Sequence, residues 1–90
     1  MSTKIHLHTT HRQFANGLAI VEVEGRTIGD CMQALVVRHP GLKTVLFDEK
    51  GALRRNFEIY LNMESAYPNE LRKPVKNGDQ IHITVMLAGG

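Results

Sequence analysis

Residues 76–86 read KNGDQIHITVM, a turn signal followed directly by a strand pattern. Gly78 follows an asparagine, and Asn-Gly accepts positive φ angles at little cost, so the pair predicts a tight turn that Asp79 fixes through local hydrogen bonds. From residue 81 to residue 85, apolar and polar side chains alternate. Alternation with a period of two indicates a strand with one buried face. The stretch therefore predicts a final β-strand whose start is set by a turn.

The sequence continues after this strand with Leu87, Ala88, Gly89 and Gly90. Neither glycine has a Cβ, so the backbone there is thin and conformationally free. Such a segment can enter a narrow active-site channel and present a carboxylate to chemistry on another protein. We expect a folded domain over residues 1–86 and a flexible tail over residues 87–90. The alternative interpretation is an ordinary frayed end.

Three earlier segments alternate in the same way as the final strand, and each predicts a half-buried strand. They are Lys4 to His8, Ala19 to Glu24, and Phe57 to Asn62. Two other stretches have weaker signals: residues 11–17 look like a polar loop, and a short edge strand is expected near Tyr67. The first two strands are expected to form a hairpin, after which Gly25-Arg26 turns the chain.

One helix is predicted between the second and third strands. Thr27 is a good N-cap, and Asp30 three residues later completes an imperfect capping box. Ile28 begins an apolar stripe at i, i+3, i+4 and i+7, the spacing of a buried helix face. Pro40 disfavours helical angles at the residue before it, so the helix is expected to end near Arg38. A further short helical turn is expected over residues 42–47.

This order of strand, strand, helix, strand, strand favours an α+β domain in which one helix covers one face of a mixed sheet. The predicted inward-facing residues are Ile5, Leu7, Val21, Val23, Ile28, Met32, Leu35, Phe57, Ile59, Leu61, Ile81, Ile83 and Val85. Cys31 lies on the helix stripe, and free cysteine is usually buried, so a core role is expected for it.

Composition excludes several classes of function. The chain has 90 residues, 42% of them hydrophobic, and a formal net charge of +2. That charge is too small to indicate nucleic-acid binding. The single cysteine excludes an internal disulfide. No stretch approaches the ~20 apolar residues of a membrane span, and no signal peptide is evident, so a cytoplasmic location is expected.

The chain resembles the ubiquitin-like sulfur carriers of the MoaD/ThiS family, including the CysO-like branch. The resemblance runs essentially from end to end. It depends on the segments Thr27 to Asp30, His39 to Leu42, Phe57 to Asn62 and Pro74 to Ile81, followed by Gly89-Gly90. The Gly-Asp turn before the last strand is the most specific of these features.

This resemblance implies a β-grasp fold with a four- to five-stranded sheet, and a carrier protein rather than an enzyme. A MoeB/ThiF-like activating enzyme would use ATP to adenylate the carboxylate of Gly90, so ATP is the partner's substrate and no cofactor is bound by the carrier. A sulfur donor would convert the acyl-adenylate to a thiocarboxylate. That group would then deliver sulfur to an accepting biosynthetic enzyme, for an amino acid or a cofactor.

Several alternatives remain open at this point. The chain could be the small subunit of molybdopterin synthase, a protein modifier conjugated through Gly90, or a β-grasp interaction module with incidental glycines. Relatives from the molybdopterin pathway commonly end in a Pro-Val-Ser-Gly-Gly-like tail, whereas Leu87 and Ala88 precede the glycines in this chain. That difference favours a carrier of sulfur for amino-acid synthesis, or for an orphan pathway, over the molybdopterin route.

The sheet face that the helix leaves open is the expected partner-docking surface. Apolar or aromatic side chains on it would form a contiguous patch, and such patches mark interaction sites. The residues assigned to it are Ile20, Tyr60, His82, Met86 and Leu87.

Two groups of polar residues have other possible roles. His6, His8 and His82 share a face and could in principle bind zinc, but no fourth ligand is visible, so no metal site is expected. The basic pairs Arg54-Arg55 and Arg72-Lys73 are expected to be solvated. Their alternative role is to steer the protein toward an acidic partner surface.

Overall fold

The computed structural model describes residues 2–86, which form five strands and two α-helices. The predicted tail, residues 87–90, lies outside the described residues. In chain order the elements are β1 (Thr3–His6), β2 (Ile20–Val23), α1 (Ile28–Arg38), α2 (Lys43–Leu46), β3 (Phe57–Leu61), β4 (Glu64–Ser65) and β5 (Gln80–Val85), with 3-10 helices at Thr9–Ala15, Pro40–Leu42 and Glu70–Arg72.

The five strands form one mixed sheet in the order β2-β1-β5-β3-β4. The first and last strands are the central neighbours and run parallel, with Ile5 opposite Ile81. The other pairs are antiparallel, and β1 and β2 form the expected hairpin with Ile5 opposite Val21. A sheet with its first and last strands paired in parallel at the centre, crossed by one main helix, is the β-grasp arrangement. The predicted fold is confirmed.

Helix α1 begins and ends where the sequence predicts. The Thr27 hydroxyl accepts a hydrogen bond from the Asp30 amide at 3.1 Å, and the Asp30 carboxylate accepts one from the Arg26 amide at 3.2 Å. These two bonds satisfy amide groups that would otherwise lack partners at the start of the helix. The last helical residue is Arg38, two positions before Pro40. The two hydrogen bonds therefore fix where α1 begins.

The core lies between the sheet and α1. Eleven of the thirteen predicted inward residues are buried, and the other two, Leu61 and Val85, are partly buried and pack against the same cluster. Cys31 is also fully buried, as expected. The prediction missed Val36 on α1, and it missed the core residues from segments without clear periodicity, which are Ala15, Leu42, Leu46, Phe47, Ala66 and Val75.

Two local predictions were wrong. Residues 11–17 belong largely to the 3-10 helix Thr9–Ala15, whose first turn is capped by the His8 ring accepting from the Thr10 amide, and which buries Ala15. A short helix of this kind has no apolar stripe for sequence reasoning to detect. The edge strand expected near Tyr67 is instead Glu64–Ser65, because Asn62 and Met63 adopt positive φ angles and turn the chain sharply after β3.

The start of α1 is packed very closely against the 3-10 helix Glu70–Arg72. A Cβ placed on Gly29 would lie 2.8 Å from the carbonyl oxygen of Leu71, which no real Cβ tolerates. The Ile28 amide donates to the Lys73 carbonyl at 2.9 Å and ties the same two segments together. Glycine at position 29 thus permits a backbone approach that any other residue would prevent.

Candidate docking face and the root of the C-terminal segment

Four of the surface positions lie in one row across the open face of the sheet. Ile20 on β2 is opposite His6 on β1, His6 is opposite His82 on β5, and His82 is opposite Tyr60 on β3. Directly opposed residues on one face have Cβ atoms only about 4.5–5.5 Å apart. The structure therefore brings Ile20, His82 and Tyr60 together in a continuous line, with His6 as the link between them.

The two histidines at the centre of this row are stacked. Their ring centroids lie 4.0 Å apart and their planes differ by 9°. The Nε2 atom of His6 is hydrogen-bonded to the Gln80 side-chain oxygen at 2.5 Å. Burial lowers the pKa of His82, and the neighbouring His6 lowers it further. Because protonating both rings would place two positive charges in contact, the pair favours the neutral state of His82.

The other members of the face differ in their exposure to solvent. Ile20 and Met86 keep 44% and 45% of their surface accessible. Tyr60 is half-buried, and a hydrogen bond to the Glu58 carboxylate raises the pKa of its phenol. Met86 follows β5 and alternates in phase with His82, and its amide donates to the Asn56 carbonyl at 2.7 Å. Leu87, the fifth predicted docking residue, lies outside the described residues.

The turn before β5 is fixed by hydrogen bonds to Asp79. Its carboxylate accepts from the Lys76 amide at 2.7 Å and from the Asn62 side-chain amide at 3.0 Å. These bonds, the one to Lys76 first, lower the pKa of Asp79. Gly78 has a φ of +90°, as the predicted turn requires. Asn62 also accepts from the Gln80 amide at 2.9 Å, so the end of β3 and the start of β5 are held together.

The predicted histidine trio is only partly brought together. His8 lies beyond β1 at the start of the 3-10 helix, where its ring is 6.0 Å from that of His11 rather than in the row with His6 and His82. Across residues 2–86, no group of three or more His, Cys, Asp or Glu side chains is arranged to hold a metal ion. Cys31 is fully buried, and burial raises the pKa of its thiol, so it is not placed as a sulfur relay.

Sequence reasoning missed Gln80 and Asn62 as members of this region. Gln80 precedes the alternating run, and its contact with His6 depends on β1 and β5 being parallel neighbours. Alternation assigns Asn62 only to the end of a strand. The turn after it is detectable from Asn62 itself, since asparagine is one of the few residues that tolerate positive φ.

Comparison with known proteins identifies the family. The model of the ThiS family matches residues 5–90, which is nearly the whole chain and includes Gly89-Gly90. The chain belongs to the ThiS family. It is therefore a member of the ubiquitin-like group of sulfur carriers and modifiers, as the sequence motifs indicated.

Individual relatives of this ThiS-family chain agree with that assignment. It is 32% identical over 71 residues to small archaeal modifier protein 1 of Haloferax volcanii, covering 78% of each protein. A chain in the crystal structure of the Amycolatopsis orientalis BexX/CysO complex superposes with a TM-score of 0.86, at 30% identity and with 98% and 99% of the two chains covered.

A third relative is much larger. The chain is 27% identical over 73 residues to the mitochondrial medium-chain acyl-CoA ligase ACSF2 of Danio rerio. The matched segment covers 81% of this chain but only 12% of that protein.

Across residues 2–86, no helix is both long enough and apolar enough to cross a membrane.

Proposed function

We propose that this ThiS-family protein carries sulfur as a thiocarboxylate on Gly90 and donates it in the biosynthesis of an amino acid or a cofactor. The observation that carries the proposal is the family match, which extends through Gly89 and Gly90. The fold supports it, because β5 is a central strand whose last residues lead directly to that segment. The domain then acts as a handle by which other proteins hold one reactive group.

The chemistry proceeds in two steps on partner enzymes. The Gly90 carboxylate attacks the α-phosphorus of ATP and displaces pyrophosphate, which converts a poor electrophile into an acyl-adenylate with a good leaving group. A sulfide equivalent from the donor then attacks the acyl carbon and displaces AMP. The thiocarboxylate that forms is a soft nucleophile at neutral pH. The carrier's own contribution is to present Gly90 and to be recognised.

Recognition is assigned to the row of Ile20, His82 and Tyr60 together with Met86 and Leu87. Aromatic side chains are enriched among the residues that supply most of an interface's binding energy, and Tyr60 supplies one at the β3 end of the row. The crystallised BexX/CysO complex shows that a similar protein has a protein partner. An activating enzyme must grip the domain while it holds Gly90, and the open sheet face is the surface suited to that contact.

A second candidate function is protein modification, in which the activated Gly90 carboxyl is transferred to a lysine of another protein. The similarity to a small archaeal modifier protein supports this second candidate function. Both functions share the adenylation step and differ only in the nucleophile that attacks the acyl-adenylate.

Intact-mass spectrometry of the protein isolated from its native cell tests these functions. A sulfur carrier is expected to show a fraction with one oxygen replaced by sulfur, localised to Gly90 by fragmentation. A modifier is expected to show conjugates joined through an isopeptide bond. Two variants serve as matched controls: removal of Gly89-Gly90, and addition of one alanine after Gly90, which keeps both glycines but blocks their carboxyl. Unmodified mass in every growth condition would reject both functions.

A further inference from the structure

A cleft of about 690 Å³ lies beside the end of β5 and shares Met86 with the docking face described above. Its walls come from the segment that precedes β3, from the region of the 3-10 helix Glu70–Arg72, and from Met86. We refer to it as the β5-end cleft. The hydrogen bond from the Met86 amide to the Asn56 carbonyl joins the wall nearest β5 to the segment before β3.

The β5-end cleft concentrates the positive charge of the protein. Three arginines line it, Arg54, Arg55 and Arg72, against one carboxylate, Glu70. The chain has eleven basic and nine acidic residues, so outside the cleft eight of each remain and cancel. The two excess charges in the lining therefore equal the formal net charge of the whole chain, +2.

Two of these arginines are available to a ligand. The Nε of Arg54 donates to the Thr44 carbonyl at 3.0 Å, which holds that side chain against the domain. The side chains of Arg55 and Arg72 are exposed to solvent. A guanidinium is always charged and offers paired donors that match the geometry of a carboxylate.

The rest of the lining supplies apolar contact area. Phe57 forms a nearly buried wall, while Tyr67 at 73% and Met86 at 45% exposure stand open to solvent. Arginine, tyrosine, phenylalanine and methionine are the residue types enriched at protein–protein interfaces. The combination suits a peptide that carries both carboxylates and apolar side chains.

We propose that the β5-end cleft binds an acidic segment of a protein partner, with carboxylates at Arg55 and Arg72 and an apolar side chain against Tyr67 and Met86. A nucleic-acid ligand fits less well, because two excess charges cannot track a phosphate backbone and Glu70 would repel it. A partner held here is close to Gly90, since the four residues after Met86 span at most roughly 14 Å. The cleft is inferred from charge and packing alone, so absence of a thiocarboxylate would leave it unaffected.

Binding of synthetic peptides to the full chain tests this inference. The probe is a fluorescein-labelled twelve-residue peptide in which Glu and Asp alternate with Leu, compared with the same peptide carrying Gln and Asn. We expect the acidic peptide to bind and the amide peptide to bind at least 10-fold more weakly. Amide chemical shifts of Arg55, Arg72 and Met86 should move on titration. The double variant Arg55→Glu/Arg72→Glu should weaken binding at least 10-fold.

The matched control is Lys50→Glu, an exposed charge reversal outside the cleft, expected to weaken binding less than 2-fold. The double arginine variant changes the net charge by twice as much as Lys50→Glu does. The second control is therefore Lys4→Glu/Lys50→Glu, which should also retain binding within about 2-fold. The inference is overturned if either control loses as much affinity as the arginine variant, or if the shifts map elsewhere. Equal or tighter binding of inorganic phosphate or of an RNA dodecamer at the same amides would also overturn it, as would no peptide binding.

Discussion

The two faces of the sheet differ although the same strands build both. On β3, Ile59 is fully buried under the helix layer, whereas the next residue, Tyr60, is half-buried in the open row that contains His82 and Ile20. On β5, Ile81 and Ile83 are buried while His82 and Thr84 between them are partly exposed. One alternating pattern thus assigns stability to one face and leaves the other face available for recognition. The difference predicts that substitutions at neighbouring residues will impair different properties: stability on the covered face and recognition on the open face.

The largest expected effect is a separation of stability from function at residues 59 and 60. Ile59→Ala removes a fully buried side chain from an interior strand of the sheet and should lower the free energy of unfolding by about 2–5 kcal/mol. Tyr60→Asp should change it by no more than about 1 kcal/mol, the range of strand-surface substitutions. We expect Tyr60→Asp nevertheless to abolish sulfur loading of Gly90, because it places a charge in the docking face.

Urea unfolding and intact-mass spectrometry measure the two quantities. Ile59→Ala is the control for loading, since its folded molecules keep the open face and should be loaded as efficiently as the wild-type protein. Unchanged loading in Tyr60→Asp would remove the open face from the proposed mechanism. A stability loss in Tyr60→Asp as large as that in Ile59→Ala would contradict the division of roles between the faces.

A smaller effect is expected where α1 packs closely against the 3-10 helix Glu70–Arg72. In Gly29→Ala the new methyl group would meet the Leu71 carbonyl oxygen at 2.8 Å, so α1 and the 3-10 helix must move apart. Overpacking of this kind costs about 1–3 kcal/mol, offset in part by the roughly 1 kcal/mol by which alanine favours a helix. We expect a net loss of about 1 kcal/mol in thermal or urea unfolding.

Gly41→Ala is the matched control for this contact. Its Cβ would lie 3.5 Å from the Phe14 ring, an ordinary van der Waals distance. Its stability should be unchanged or up to about 1 kcal/mol higher, because alanine restricts the unfolded chain. Equal losses in the two variants would show that the backbone approach at Gly29 is not what limits substitution there.

The covered face is largely predictable from sequence, and the reason is periodicity. Strands and α1 each repeat their apolar residues at a fixed interval, so the spacing alone assigns Ile5, Ile59 and Leu35 to the core. It does not assign Ala15, Leu46 and Val75, because they lie in short helices and connections with no repeat. Their burial depends on tertiary packing, which a local pattern does not contain.

The candidate site is predictable in membership but not in arrangement. Alternation places His82 and Tyr60 on the open face, and the strand register then brings them opposite one another. The stacking of His6 on His82 depends on β1 and β5 being parallel neighbours, a pairing of strands from opposite ends of the chain that no local pattern reveals. The β5-end cleft has the same origin: its arginines are visible in sequence as two basic pairs, but only the fold places them around one cavity.

The smallest effect should come from His82, whose lowered pKa makes the stability of the fold depend on pH near neutrality. Burial and the stacked His6 hold the pKa of His82 below the 6.5 of an unperturbed histidine. Because the unfolded state then binds the proton more readily, stability is fully present above pH 6.5 and decreases as the pH falls through that value. Unfolding free energies measured from pH 7.5 to 5 should therefore decline, and those of His82→Gln should decline less steeply.

His11, whose pKa is also lowered by burial, accounts for part of the pH dependence that remains in His82→Gln. The variant His11→Gln should remove that part separately. The prediction is contradicted if the slope of unfolding free energy against pH is the same in His82→Gln as in the wild-type protein. It is also contradicted if the imidazole signal of His82 titrates at or above pH 6.5.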